Sequence, residues 1–523
     1  MSTQVINYDG SIKANPQQYV TAKSVQDIQN VVRDTATYPS PVRAMGSYHS
    51  LTPCASSDGT MIDMKGMNQV VSIDATNLTF TAQAGMQMID ANHALRAQNL
   101  QFMLNIEIGN MTVGAGACCH SKDGLDGIEF GQVSSYVTAM KWVAPDGSLA
   151  EASDATNPDL MRLMRTSYGL CGIIYEVTFR IKPIEALHFT YLPVSVDDLT
   201  QDQVDNILDT SEGLVCWTVG RTAVFQQRHK INHPGILGAL QASVRRMLWN
   251  FTGAYIGRMI DTFMANDNLR NAVQQGNFDF ENLLYETLHL SGGITLLAPD
   301  KTIDYHTTPV SARYAFTFWA FPREQWLDTY RAYLDWADAY FKQNGFRCNM
   351  PLGAYHVRKD QSSLLSYTND GEVFSIDPIH APSDQNAWDN FLKGFNDFAS
   401  ARGGIPLLNQ SPFVTQAQVQ KAFGDRWQQF SDAVHKTDPT GRFLNPFFAA
   451  LLNSGSPRLR NSAAPAPSLW AHLPAPSRAT HLRAVRSGLM LPASWIHNEA
   501  SDPDCAPGKH APDRTPSRRK QQP

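Results

Sequence analysis

The strongest constraint on the fold is a set of three loops rich in glycine and other small residues. The first loop, 41–50, reads PVRAMGSYHS; the second spans 107–124 and the third 167–183. Such residues let backbone N–H groups approach a ligand closely, and in the first loop they precede a histidine. Three loops of this kind predict one shared ligand rather than three separate ones.

The loops do not match the common nucleotide-binding patterns. Neither G-x-G-x-x-G nor G-x-x-x-x-G-K-[ST] occurs, so a Rossmann or P-loop site is not predicted. Between residues 20 and 185, strand-like and helical segments follow an α+β order and not a βαβ repeat. The predicted strands are 42–45, 60–64, 69–74, 78–84, 137–144, 149–152 and 172–181. The predicted helices are 24–35, 88–98 and 157–165.

Aromatic residues become dense from about residue 188, which indicates a second α+β region. Its predicted strands are 214–225, 311–321, 353–357 and 373–376, and its predicted helices are 323–343 and 386–401. A further helix is expected at 416–435. The apolar, weakly basic stretch 235–261 fits a helix packed over a substrate cavity, or a helix lying on a membrane surface.

Residues 453–523 differ in composition from the rest of the chain. From Ser454 onward there are eleven of the 30 prolines, and ten basic residues stand against four acidic ones. Such a segment cannot bury enough apolar surface to offset its ordering entropy, so we predict a disordered, basic, Pro-rich tail. A solvated extension and a contact with RNA or a membrane surface both fit its charge.

Composition argues against several classes of protein. Charged residues make up 17% of the chain and the formal net charge is −5, which gives no indication of a nucleic-acid partner. Seven scattered cysteines without C-x-x-C spacing disfavour a disulfide framework and a zinc site, so we expect no metal. No exported leader or long apolar run is visible, so we predict a cytoplasmic protein without a stable membrane span. The oligomeric state is not predicted.

Taken in order, the motifs resemble a known family. They are x-R-x-x-G-x-x-H-S at 42–50, SDGTMIDMKGMNQV at 57–70, the small-residue loop at 109–124 and G-x-x-G-I-I-x-E-V-T-F at 169–179. This series is similar to the FAD-binding domain of the PCMH-type flavoproteins, the vanillyl-alcohol oxidase superfamily. The closing D-P-x-G-x-F-x-N element at 438–445 resembles that of the sugar-lactone and alditol oxidases.

The resemblance implies a two-lobed FAD-binding domain. His49 stands where the family often bonds a histidine to the flavin 8α-methyl carbon; the alternative is an ordinary loop histidine. Ser47 and Tyr48 replace glycines that usually approach the pyrophosphate. Cys118 and Cys119 are interpreted as walls beside the flavin rather than as metal ligands. The candidate cofactor-binding residues are Arg43, Ala44, Met45, Gly46, Ser47, Tyr48, His49, Ser50, Gly109, Thr112, Gly114, Gly116, Ala117, Cys119, His120, Gly172, Ile173 and Val177.

The resemblance also implies positions for substrate chemistry. In alditol-oxidase-like proteins a strand carries Glu-x-Arg over the flavin, and His356 and Arg358 stand at those positions here. A histidine there would accept the hydroxyl proton and the arginine would stabilise the reduced ring; the alternative is a polar face turned to water. Where a His-Trp-x-Lys element is usual, residues 406–411 read PLLNQS; the lost lysine and the two leucines suggest a less polar or uncharged substrate, with Asn409 and Gln410 as hydrogen-bonding candidates. The predicted catalytic residues are His356, Arg358, Asn409 and Gln410.

Together these features predict an FAD-dependent oxidoreductase, either oxidase or dehydrogenase. It would transfer a hydride from a hydroxyl-bearing or similarly activated carbon of a small molecule to flavin N5, with FAD attached covalently through His49. The alternatives are an aldonolactone or alditol oxidase proper, an alcohol or sterol oxidase, and a flavin-binding protein without activity. The predicted domains are an FAD-binding domain at 15–187, a substrate or cap domain at 188–403, a segment returning to the FAD domain at 404–452, and the tail at 453–523.

Overall fold

The small-residue loops connect the strands of two β-sheets in the first part of the chain. The computed structural model describes residues 3–123, 131–235, 238, 240, 241, 243, 247, 254–264, 267–305, 313–382 and 384–452. The first strands are β1 Val5–Ile6, β2 Lys13–Ala14, β3 Gln18–Thr21, β4 Val42–Met45, β5 Thr60–Asp63, β6 Val70–Asp74, β7 Thr79–Gln83, β8 Leu100–Phe102, β9 Val137–Val143, β10 Leu149–Ser153 and β11 Ile173–Pro183. The helices are α1 Val25–Arg33, α2 Met88–Arg96, α3 Val113–Cys118 and α4 Pro158–Met164.

The pairing of these strands determines where the three small-residue loops lie. Strands β3, β5 and β4 form a parallel sheet in that order, and β10, β9, β11, β7 and β6 form an antiparallel sheet whose β11 also pairs with β8. The first loop includes β4 and continues beyond its end, the second includes α3, and the third leads into β11 and includes it. The predicted strands and helices of this part are present, with ends that differ by at most two residues.

An eight-stranded antiparallel sheet dominates the next part, with strand order β15-β12-β14-β13-β18-β19-β17-β21. Its strands, together with the short pair β16 and β20, are β12 Ala186–Ser195, β13 Gly213–Val219, β14 Thr222–Ile231, β15 Ile294–Leu297, β16 Ala315–Phe316, β17 Trp319–Pro322, β18 Leu352–Val357, β19 Val373–Ile376, β20 Ile379–His380 and β21 Ile405–Pro406. The helices are α5 Gln201–Thr210, α6 Gly257–Phe263, α7 Asp267–Leu290, α8 Arg323–Asn344, α9 Gln385–Ala401, α10 Gln416–Phe423, α11 Asp425–Thr437 and α12 Pro446–Leu451.

Two predicted elements are each divided by a glycine. The predicted strand 214–225 is the hairpin of β13 and β14, which turns at Gly220 with a φ of 63°. The predicted helix 416–435 is interrupted by Gly424, whose φ of 54° ends α10 before α11 begins. Apolar residues resume within three positions of each glycine, so periodicity alone joined the elements.

Other predictions fall partly or wholly outside the described residues. The predicted strand 311–321 is seen as β16 and β17 once its first residues are set aside. Much of 235–261 and all of the tail at 453–523 are not described. Among the described helices, none combines the length and the apolar character needed to cross a membrane.

The last described segment is fastened to the first part of the chain. The Asp438 carboxylate accepts hydrogen bonds from the backbone N–H groups of Arg442 and Phe443, at 2.8 and 2.7 Å. This turn directs the Arg442 guanidinium to the carbonyl oxygens of Val31 and Val32 at the end of α1. The closing D-P-x-G-x-F-x-N element therefore acts as a structural clamp on the parallel sheet.

Candidate active site

A large cavity lies where the three small-residue loops meet the eight-stranded sheet. Its volume is about 1670 Å³, including the open mouth. The predicted residues that line it are Arg43, Ala44, Met45, Gly46, Ser47, Tyr48, His49, Ser50, Thr112, Gly114, Cys119, His120, Gly172, Asn409 and Gln410. The sequence prediction of one shared site for the three loops thus agrees with the geometry.

Some predicted cofactor residues lie behind the cavity wall: Gly109, Gly116, Ala117, Ile173 and Val177. Several glycines of these loops are required for protein packing, and one of them, Gly172, also lines the cavity. A Cβ on Gly172 would meet Trp142 at 2.1 Å, and one on Gly109 would meet Thr302 at 2.6 Å. Small residues in the sequence therefore indicate close packing in general, and only some of them face the cavity.

The first loop holds His49 at the cavity in a constrained conformation. Tyr48, which stands where the resemblance leads one to expect glycine, has a φ of 55°. That left-handed conformation costs a non-glycine residue about 1 kcal/mol. The Tyr48 side chain is buried in a cluster with Met45 and Met61, and this packing offsets the strain. The His49 ring lies 4.8 Å from the Tyr8 ring, between centroids.

Gly46, the one glycine of the first loop, packs tightly against the second loop. A Cβ at this position would lie 2.3 Å from Oγ1 of Thr112, the residue that caps α3. We expect Gly46→Ala to separate the two loops and lower the unfolding free energy of the holoprotein by about 1–3 kcal/mol, the usual effect of overpacking. Urea unfolding and flavin content measure this effect.

Gly276→Ala is the matched control for this substitution. Gly276 lies within α7, and a Cβ there has no atom within 4 Å among the described residues. Equal stability and equal flavin content in both variants would contradict the packing assigned to Gly46.

His120 is a neutral structural residue at the back of the cavity. Its Nδ1 accepts a hydrogen bond from the Tyr168 hydroxyl at 2.6 Å, and its Nε2–H donates to the carbonyl oxygen of Leu365 at 2.7 Å. Burial lowers the pKa of His120 to about 4. Asn409 donates from Nδ2 to the His120 carbonyl at 3.0 Å, so Asn409 holds the second loop as well as lining the cavity.

A buried ion pair that the sequence did not predict lies in the cavity wall. The Lys122 ammonium donates to Oδ2 of Asp377, which directly follows β19. Three aromatic rings surround the ammonium, at 4.5–4.8 Å from their centroids: Phe316, Phe318 and Tyr355. Burial raises the pKa of Asp377 to about 6, although the Lys122 charge opposes the rise. An isolated charged residue inside an apolar run, as in Phe-Ser-Ile-Asp, was the available sequence signal.

A second buried charge cluster lies beside this pair. The carboxylate of Asp123 accepts from Arg228 at 2.8 Å and from Lys301 at 3.0 Å, and all three side chains are at most 1% exposed. Arg228 belongs to β14, so the cluster ties the second loop to the eight-stranded sheet. It fixes the backbone immediately after Lys122.

The predicted pair His356 and Arg358 does not line the cavity. Tyr355 is the β18 residue that lines the cavity, and His356 packs on the opposite face. His356 Nε2 lies 3.0 Å from Glu372, whose carboxylate also binds Arg323 at 3.1 Å. The structure therefore corrects the expected orientation of this strand, and no cavity residue on β18 carries a charge.

The cavity wall contains buried polar atoms without hydrogen-bond partners among the described residues, as expected of a site that binds FAD. Ser47 Oγ and Gln410 Oε1 are buried, line the cavity and have no hydrogen-bond partner in the described part of the chain. Buried polar atoms normally have partners, and a large ligand with phosphate, hydroxyl and amide groups supplies them. Arg43 contributes differently from the expectation, because its guanidinium Nη atoms donate to three backbone carbonyls.

Comparison with known proteins decides the family. Residues 16–153 match the family described as FAD binding domain, and residues 177–451 match the one described as D-arabinono-1,4-lactone oxidase. The second match alone covers more than half of the 523 residues. The chain belongs to the D-arabinono-1,4-lactone oxidase family.

Similar proteins agree with this assignment. L-gulonolactone oxidase of Mus musculus is 23% identical over 461 residues, which are 85% of this chain and 97% of the relative. L-gulono-1,4-lactone dehydrogenase of Mycobacterium tuberculosis is 27% identical over 460 residues, with 85% and 98% covered. Among solved structures, cholesterol oxidase from Brevibacterium sterolicum has a TM-score of 0.64 at 14% identity, covering 86% of this chain and 97% of that chain.

These findings confirm the predicted PCMH-type α+β fold and the predicted cofactor class. The protein is an FAD-dependent oxidoreductase of the D-arabinono-1,4-lactone oxidase family. The roles of individual residues are proposed below from the geometry of the cavity.

Proposed function

We propose that the protein oxidises a hydroxyl-bearing carbon of a small molecule by hydride transfer to flavin N5 of bound FAD. The observation that supports this function is the shared cavity, with the loops of the FAD-binding part on one side and the second sheet on the other. When bound, FAD supplies the two-electron chemistry, and the protein supplies orientation, exclusion of water and a place for the proton.

We assign the two sides of the cavity different tasks. The loop residues Ser47 and His49 would hold the cofactor, with the His49 imidazole bonded to the flavin 8α carbon. Asn409 and Gln410 would contact the polar groups of cofactor or substrate. The aromatic residues facing them would exclude water from the reacting atoms; they are Trp217, Tyr305, Tyr314, Phe316 and Tyr355.

The bounds of the strands support a domain division. We propose an FAD-binding domain at 15–187, a substrate domain at 188–403 and a returning segment at 404–452, since β11 ends at Pro183 and the eight-stranded sheet begins at Ala186. The Arg442 clamp on α1 supports the return. The scattered cysteines support the cytoplasm as the compartment.

Substrate class is testable with the compounds that similar proteins are named for. We propose an aldonolactone or another cyclic hydroxyl compound, because Lys122 and Asp377 offer polar contacts within a largely aromatic wall. Anaerobic mixing of the holoenzyme with L-gulono-1,4-lactone, D-arabinono-1,4-lactone or cholesterol should bleach the visible flavin absorbance in at least one case. A flavoprotein that none of the three reduces would contradict the proposed substrate class.

A further inference from the structure

The Lys122–Asp377 pair is built as a site rather than as a simple structural tie. Both side chains line the cavity, and the side-chain exposure is 10% for Lys122 and 1% for Asp377. A buried ion pair gains little stability over an apolar contact, because both charges must leave water. Stability alone therefore does not explain the ion pair in the cavity wall, and a chemical role does.

The two carboxylate oxygens of Asp377 have different environments. Oδ2 accepts from Lys122, whereas Oδ1 is buried and has no hydrogen bond of normal geometry to a described residue, and the Ser375 hydroxyl lies close enough to the carboxylate to lower the pKa of Asp377. The backbone of Asp377 is fixed by hydrogen bonds with Gly353 in both directions, at 2.8 and 3.0 Å. The carboxylate is thus held rigidly, with one oxygen left for a ligand.

Lys122 is held with similar rigidity. The hydroxyl of Tyr367 donates to the Ser121 carbonyl at 2.9 Å, and Asp123 is anchored in its own buried cluster. These contacts flank Lys122 on both sides in the sequence. The ammonium therefore cannot follow a displaced carboxylate without breaking neighbouring contacts.

We propose that Oδ1 of Asp377 is the general base that accepts the substrate's hydroxyl proton, and that Lys122 positions the carboxylate and keeps it ionised. The inference rests on the proposed oxidation of a hydroxyl compound. The substrate O–H bond breaks and its proton passes to Oδ1, a carbonyl C=O bond forms, and the C–H hydrogen leaves with two electrons as hydride to FAD.

The electrostatics suit this role. Burial raises the pKa of Asp377 to about 6, which makes the carboxylate a stronger base than an exposed one while it stays ionised at neutral pH. Without the ammonium the same burial would favour the protonated acid. The titratable groups around the pair are Glu107, Asp123, Tyr314, Tyr355 and Tyr367.

Asp377→Asn keeps the shape and removes the base. With whichever of L-gulono-1,4-lactone, D-arabinono-1,4-lactone or cholesterol reduces the wild-type flavin, we expect anaerobic reduction to slow by about 10²–10⁴-fold. The dissociation constant of the same compound, titrated by calorimetry against the chemically reduced holoenzyme, should stay close to the wild-type value. The control is Glu372→Gln, which changes a carboxylate on the opposite face of the sheet and should leave both quantities unchanged.

A double variant covers the case in which Asp377→Asn fails to fold. Lys122→Met with Asp377→Asn removes both charges, so no unpaired ion is buried, and it should show the same loss of reduction with normal flavin content. Normal reduction in either folded variant overturns the inference alone. Loss of both flavin reduction and binding of the compound would show that the ion pair has a structural role, which also overturns the inference. A wild-type flavin that none of the three compounds reduces contradicts the proposed substrate class instead, and the inference with it.

Discussion

His49→Ala should release all flavin when the purified protein is denatured, whereas the wild-type chain should keep its flavin. His49 lines the cavity, and its position at the end of the first loop matches the attachment point of the family that the motifs resemble. Loss of the imidazole removes the bond but leaves the other contacts of the cavity. FAD should therefore still bind reversibly to the folded variant. Flavin fluorescence of the denatured chain, followed by mass spectrometry, measures the difference.

His120→Asn is the matched control for this experiment. His120 also lines the cavity, but both of its ring nitrogens are engaged, with Tyr168 and with Leu365. The variant should keep flavin on the denatured chain. Retention of flavin by His49→Ala, or its complete release from the wild-type chain, would show that His49 is not the attachment point.

Asp123→Asn should lower the unfolding free energy by about 3–5 kcal/mol, the usual effect of removing one partner from a buried ionic contact. The substitution keeps the shape but removes the negative charge facing Arg228 and Lys301, both of which are buried. Because this contact joins the second loop to the eight-stranded sheet, we also expect a lower flavin content. Urea unfolding of the holoprotein measures the first effect.

Asp197→Asn provides the comparison at the surface. Asp197 binds Arg221 at 2.6 Å, but its side chain is 54% exposed, and water screens such surface pairs so that they add little to stability. Similar unfolding midpoints for the two aspartate variants would contradict the structural role assigned to Asp123.

The sequence could predict those features whose residues are neighbours along the chain. Residues 46–50 follow β4 directly, so the small residues and His49 necessarily lie together. The capping box of α1, in which Ser24 and Asp27 satisfy each other's backbone, is likewise local. The order of these local motifs then predicted the fold, because the series resembles that of the PCMH-type flavoproteins.

The polar centre of the cavity could not be predicted in this way. Lys122 and Asp377 are 255 residues apart, and only the pairing of the sheet brings them together. The face of β18 depends on its register, in which Tyr355 is opposite Val215 of β13. A shift of one residue moves every side chain to the other face, and the Glu-x-Arg resemblance assigned the cavity face to His356 instead.

Hydrogen exchange with and without FAD tests most directly the claim that the three loops hold the cofactor together. The folded His49→Ala variant allows reversible loading, so its apoprotein and FAD-loaded forms can be compared by mass spectrometry. If the three loops hold FAD together, amide exchange on FAD binding should become slower in the peptides covering 43–50, 109–123 and 167–172 together, with little change in α8. Failure to bind FAD, or protection that leaves these three loops unchanged, would contradict it.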